Sequence, residues 1–240
     1  MSGALSVPAS DPWPDLRARS TLPELLDASL PESEVRKSLA DLRFVNRWLG
    51  SRSGLLNAMV PHLPSRGGRL LDVGCASGDV TAFLQSGLSG LSLAVGVDLK
   101  ALHLRNAPPS LGRVAADVRR LPFRPRSFDV VTTSLFLHHF DAGDLPGILR
   151  ELARFARRAV VVSDLRRALV PYLFGRATFP LLFESRVSVH DGLVSIRRSF
   201  RDDELRAAFH AAGMPRVAVR RVFPYRLLAI APVEEPAEPA

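Results

Sequence analysis

Three aspartates stand at matching points of successive segments. Asp98 follows Gly78 by 20 residues, and Asp117 follows Asp98 by 19. The first acid, Asp72, opens Asp72-Val73-Gly74-Cys75-Ala76-Ser77-Gly78-Asp79, a tight turn between the apolar run Leu70, Leu71, Val73 and a helical run. Gly74 and Gly78 lack the Cβ that would keep a ligand off the backbone. A helix starting near Asp79 aims its free N–H groups back at that turn. The stretch reads as a cradle for a nucleotide-type cofactor. If each acid ends a strand of a doubly wound sheet, all three line one crevice. A carboxylate after the second strand can take both ribose hydroxyls. One after the third, with the N–H of Val118, can read an adenine amino edge. A dinucleotide fold would carry GxGxxG around a pyrophosphate. Here the spacing is G-x-x-x-G, and the Asp79 carboxylate would repel a pyrophosphate while tolerating a cationic ligand.

The elements that must position these groups follow from periodicity. Strands are expected at 69–73, 91–98, 112–116, 128–135 and 159–163, with helices at 79–88, 99–106 and 145–157. Alternating βα units imply an open, mostly parallel sheet with helices on both faces. Ahead of it, residues 1–20 read as a loose arm. Helices are expected at 22–30 (Thr21 as N-cap), 33–49 (stopped by Gly50) and 54–60. After it, residues 165–189 break the rhythm with Leu169, Tyr172, Phe174, Phe179 and Phe183 around Pro171 and Pro180, as one or two inserted helices. A helix from Asp202 or Asp203 to Ala212 and strands at 216–222 and 225–231 close the core, and the tail is read as disordered. The division is thus 1–65 as arm and helical lid, 66–231 as the main domain, and 232–240 as tail.

Composition sets bounds. A single cysteine among 240 residues rules out an intramolecular disulfide and any CxxC metal site. No His/Cys/Asp cluster has metal-ligand spacing, so no metal is expected. A reducing, cytoplasmic setting is expected. No apolar run reaches the roughly 20 residues of a membrane span, and the start lacks the basic and apolar regions of a signal peptide. The net charge is +8, concentrated at about +7 over 141–230. No basic run is interleaved with aromatics, so nucleic acid is disfavoured, while contact with a membrane surface stays compatible with the charge. Oligomeric state is not legible.

The text Leu70-Leu71-Asp72-Val73-Gly74-Cys75-Ala76-Ser77-Gly78-Asp79-Val80, Val95-Gly96-Val97-Asp98-Leu99-Lys100, Ala115 through Val131 and Ser134-Leu135-Phe136-Leu137-His138-His139-Phe140 resembles the class I S-adenosylmethionine-dependent methyltransferases. The resemblance is strong over 69–165 and holds in outline over 199–231. It implies a Rossmann-like α/β fold of seven strands, mostly parallel with an antiparallel C-terminal strand. It also implies S-adenosyl-L-methionine as cofactor, held by Asp72, Gly74, Cys75, Ala76, Gly78, Asp98, Leu99, Asp117, Val118 and Ser134. Ala76 departs from the glycine many members carry there.

The cofactor supplies the reactive sulfonium, and the protein aligns the acceptor with it. His138 and His139, after the fourth strand, are the candidate bases for a hydroxyl acceptor; a loop-shaping role is the other reading. His190 is a further candidate base or a surface residue, and His62, His103 and His210 read as surface or packing. Asp164 is divided between sheet and pocket, the resemblance brings the preface over the cofactor and so Asn46 or Arg47 to the site, Trp48 reads as packing, and Arg166-Arg167 and Arg197-Arg198 as solvated pairs with binding of an anionic group as the other reading. The insert serves as acceptor lid in the resembled family. Its apolar character points to a hydrophobic small-molecule acceptor, O-methylated on a phenolic or quinol-like ring. C-methylation of a quinone-type ring, RNA methylation and a non-catalytic binding protein are the alternatives.

Overall fold

The computed structural model describes residues 14–49 and 51–233. Residues 1–13 of the expected arm, the helix stop at Gly50 and residues 234–240 of the expected tail lie outside the described residues. Among the described residues no helix is long and apolar enough to cross a membrane.

The preface forms α1 (Glu32–Trp48) and α2 (Ser51–Met59). Val35, Leu39 and Asn46 share the buried face of α1, as helical spacing requires. Trp48, expected to pack, is 63% exposed beneath the Arg47 guanidinium. The helix expected over 22–30 is a single 3-10 turn, Leu25–Asp27. Its cap position is held by Glu24 rather than Thr21, and without a side-chain cap bond. Tertiary contacts replace the helical ones: the N–H groups of Leu25 and Leu26 both donate to Asp191, at 2.8 Å each.

The main domain runs β1 (Gly68–Val73), α3 (Asp79–Gly87), β2 (Leu91–Asp98), α4 (Ala101–Leu104), β3 (Gly112–Ala115), β4 (Phe128–Ser134), α5 (Leu145–Phe155) and β5 (Ala156–Leu165). Then come α6 (Leu169–Leu182), α7 (Arg186–Arg198), α8 (Asp202–Ala211), β6 (Ala218–Val222) and β7 (Arg226–Pro232). The sheet order is β3-β2-β1-β4-β5-β7-β6, parallel as far as β5, with β7 antiparallel to both its neighbours. This is the expected seven-stranded Rossmann-like, doubly wound sheet. Strand order reverses between β1 and β4, the switch point at which such sheets open a crevice at their C-terminal edge.

Alternation sorts the strand residues between two faces. Leu70, Val130, Val161 and Ile230 join a core with Leu55 and Met59 of α2 and Val80 and Leu84 of α3. Leu71, Val131, Val160 and Val162 join the opposite core with α5 and α8. On α5, Leu145, Ile148, Leu149, Leu152 and Phe155 recur at three- and four-residue steps and are all buried, each contributing about 2 kcal/mol.

The insert differs from its expected bounds. Its second helix continues to Arg198, and β5 extends far enough that Asp164 lies inside the strand. One member of each arginine pair is buried rather than solvated. Arg167 is buried against Glu204 and the carbonyl of Ser199. Arg198 sends all three of its nitrogens to carbonyls, of His138 (2.9 Å), His139 (2.6 Å) and Leu22 (2.8 Å). These carbonyls lie outside regular elements and need donors from elsewhere.

Candidate functional site

The C-terminal edge of the sheet opens on a cavity of about 430 Å³, within the range of small-molecule sites. One half is built by the ends of β1 and β2. Gly74 and Gly78 have φ of +74° and +67°. A Cβ on Gly74 would stand 2.2 Å from the Phe136 ring, so glycine is what lets that ring close on the turn. Ala76 adopts φ +48°, a conformation that costs an L-residue about 1 kcal/mol. Leu135 (+53°) and Tyr225 (+63°) also line the cavity; backbone strain gathers at functional sites.

Asp98 is fixed by the N–H of Ala76 (2.9 Å, to Oδ2) and of Lys100 (2.8 Å, to Oδ1). Each oxygen keeps a lone pair, so together they can accept from the two hydroxyls of a diol. His103 is buried beneath it, its Nδ1 3.2 Å from Oδ1 of Asp98 but not aligned as a hydrogen bond. Asp72 is buried and accepts from Thr81. Burial pushes its carboxyl up to about 7, the Thr81 bond opposing and the charges of Asp79 and Asp98 adding. Burial also pushes the Cys75 thiol up, so it is no nucleophile. Asp79 is paired with Arg52 at 2.6 Å and contacted by Asn46 at 3.3 Å. Its carboxylate is therefore neutralised, and the expected repulsion of a pyrophosphate is blunted.

The other half is built by chain segments far apart in sequence. His138 and His139 sit on a 3-10 turn, Leu137–His139, just past β4. Nδ1 of His138 meets Asp164 at 2.7 Å, and its Nε2 meets Glu24 at 3.2 Å. Nδ1 of His139 meets Asp27 at 3.0 Å, and its Nε2 lies 3.6 Å from Glu24. Ser195 donates to Glu24 at 2.7 Å. Burial alone would raise the Glu24 carboxyl, but the charge of His139 and the bonds from His138 and Ser195 bring it down to about 2. Burial alone would lower His138, but Asp164 and Glu24 raise it to about 10. Asp164 is held below the usual range by His138 against the opposing effect of burial. The strap from Arg19 to Ala28 is tied over this cluster. Besides Asp191, it is gripped by Lys100, which donates to the carbonyls of Leu26 and Ala28. Arg19 of the strap donates in turn to the carbonyls of His138 and Phe140. Phe174, Phe179, Phe183, Pro171 and Tyr225 wall the rest of this half.

Of the sequence-expected residues, Asp72, Gly74, Cys75, Ala76, Asp98, Leu99, Ser134, His138 and His139 line the cavity. Gly78, Asp117 and Val118 are not on its wall. Gly78 caps α3, Asp117 accepts the N–H of Arg119, and Val118 is in the core. Asn46 reaches the wall, whereas Arg47 lies over Trp48. His190 is off the wall, bonded to Asp191 at 2.9 Å. Glu24, Asp27, Asp191, Lys100 and Arg226 are cavity residues that sequence reasoning missed. Glu24 lies 114 residues before His138, and no local pattern joins them. The missing metal spacing in the sequence likewise says nothing about what folding brings together.

Residues 71–162 match the family model described as "Methyltransferase domain". A demethylmenaquinone methyltransferase of Roseiflexus castenholzii is 30% identical over 176 residues, 66% of this chain and 73% of that one. Another, of a Roseiflexus species, is 35% identical over 114 residues, 44% of this chain and 45% of that one. The latter match thus spans under half the relative's length. Among solved structures, an S-adenosylmethionine-dependent methyltransferase from Aquifex aeolicus superposes with a TM-score of 0.61 at 15% identity, over 86% of this chain and all of that one. Human N-acetylserotonin methyltransferase gives 0.63 at 12% identity, over 84% of this chain and 56% of that one. These two show the fold. With the cradle, the Asp98 carboxylate beside it and the sheet topology, the matches establish that the chain belongs to the class I S-adenosylmethionine-dependent methyltransferases.

Proposed function

We propose that this enzyme methylates a hydrophobic, hydroxylated ring of phenolic or quinol type, the ring lying against Phe174, Phe179 and Tyr225 with a hydroxyl turned to His138, His139 and Glu24. The observation that carries this reading is the cavity's two-sidedness: aromatic walls with one polar cluster, beside the donor cradle. S-adenosylmethionine supplies the methyl group as an electrophilic sulfonium when bound. On the donor side Asp98 takes the ribose hydroxyls, and Leu99, 69% exposed, lies under the adenine. On the acceptor side the strap covers the cluster, and His138 and His139 face the hydroxyl. Two observations disfavour RNA. Arg221 and Arg166 of the basic half are paired with Asp202, at 2.6 and 3.7 Å, and the cavity walls are apolar.

A second reading, methylation at a ring carbon of a quinone-type acceptor, is favoured by the names of the two Roseiflexus relatives. Incubation with labelled S-adenosylmethionine and a panel of alkylphenols and hydroquinones tests both. Fragmentation of the product separates methoxy from ring methyl. No product across the panel, from protein that binds S-adenosylhomocysteine, overturns the acceptor assignment.

A further inference from the structure

The ligand atoms of Glu24, His138 and His139 lie within 4.8 Å of one another, with carboxylate–imidazole separations of 3.2 and 3.6 Å. Two ligands bound to one ion at about 2.1 Å stand ~3.0–3.5 Å apart, so these spacings admit a shared ion with little movement. The surroundings are those a metal ligand needs. Each imidazole turns Nε2 to the same carboxylate, and each Nδ1 is held by an acid of its own, Asp164 at 2.7 Å and Asp27 at 3.0 Å. Such outer carboxylates fix the tautomer and aim the ring at a metal. A plain ion pair needs only one histidine; this carboxylate has two, both backed. The Arg198 behind them directs all its nitrogens to backbone carbonyls, leaving the acids to set the field.

We propose that Glu24, His138 and His139 bind one divalent first-row transition ion, which displaces the Nε2 proton that His138 shares with Glu24, and that its open coordination positions take the hydroxyl oxygen of the acceptor. Two imidazoles and a carboxylate suit zinc, iron(II), cobalt(II) or nickel(II) better than magnesium or calcium. The ion holds the acceptor oxygen as an oxyanion, releasing its proton to solvent, and so fixes the ring beside the donor cradle. This second half rests on the methyl-transfer reading above.

Cobalt(II) is the probe. Protein stripped with a chelator is titrated with Co²⁺ and followed by visible absorption and elemental analysis, with calorimetric binding of S-adenosylhomocysteine as the check on folding. One Co²⁺ per chain is expected, with affinity reduced tenfold or more in Glu24→Gln and His139→Asn. In Asp27→Asn the loss is roughly tenfold, as for a second layer of ligands. Adding a hydroquinone shifts the absorption bands. Absence of Co²⁺ binding in wild-type protein that binds S-adenosylhomocysteine, or unchanged affinity in Glu24→Gln, overturns the site. Bands unmoved by hydroquinone overturn acceptor ligation. Methyl transfer by stripped protein that binds no Co²⁺ sinks the ion and leaves the methyltransferase reading standing. Co²⁺ binding without transfer to any phenol or hydroquinone does the reverse.

Discussion

The half of the cavity that we assign to the methyl donor and the half that we assign to the acceptor are built on opposite plans. The donor half comes from one contiguous stretch, Asp72 to Lys100, in which β1, a turn and β2 place Asp98 and the N–H of Ala76 2.9 Å apart. The acceptor half needs the strap, the turn after β4, the end of β5, α6 and α7, and the turn into β7. The donor half therefore rests on backbone geometry that any member with the same turn reproduces. The acceptor half rests on long-range side-chain bonds, from Glu24 to His138 and from Asp191 to the strap, each of which one substitution can remove. A shared donor is compatible with many acceptors for this reason.

The comparison can be broken by substitution in each half. The largest expected effect is in the acceptor half: His139→Ala lowers turnover about 100-fold or more, with S-adenosylhomocysteine affinity within about threefold of wild type by calorimetry. An equal loss of melting temperature and activity would instead make His139 a structural residue. Next, Asp98→Ala weakens S-adenosylhomocysteine binding roughly 10–100-fold, the loss of about 1.5–3 kcal/mol of charge-assisted bonding, in protein that still folds. Unchanged binding would show that the ribose acid has been misplaced.

A smaller effect tests the strap. Asp191→Asn replaces an acceptor-only carboxylate under two N–H groups, costing about 1–3 kcal/mol and roughly 3–10 °C of melting temperature. The acceptor KM rises while cofactor affinity holds; a parallel fall in cofactor affinity would show that the halves are coupled. The last effect is electrostatic and is read only as a pH dependence. Asp72 titrates near 7 in the fold against about 3.9 unfolded, so the native state holds the extra proton. Its contribution is fully present below pH ~4 and is lost as pH rises through about 7. The melting temperature of wild type relative to Asp72→Asn is therefore expected to fall across that window. A flat difference would mean that Asp72 is ionised in the fold.

Sequence reading succeeded and failed along the same division. The strands, the order of βα units and the face of α1 follow from periodicity, since a buried strand needs Leu71 and Val131 wherever it lies. The 22–30 helix failed because Asp191, about 165 residues later, takes its first N–H groups. Arg167 and Arg198 read as solvated because nothing nearby reveals the carbonyls that recruit them. Asp79 read as an unopposed charge because Arg52 arrives from α2. His138 and His139 were legible as candidates, but the acids that hold them were not.

What the sequence by itself determined is the donor: Gly74 and Gly78 share one turn, and a single strand–turn–helix–strand unit brings Asp98, at the end of β2, back beside it, so a local pattern encodes the cradle. Only the tertiary structure decided the acceptor end. There Glu24 meets His138 and His139 because Asp191, Lys100 and Arg198 tie the strap over β4. Bonds between residues more than a hundred positions apart are set by how layers pack, and no local period encodes them.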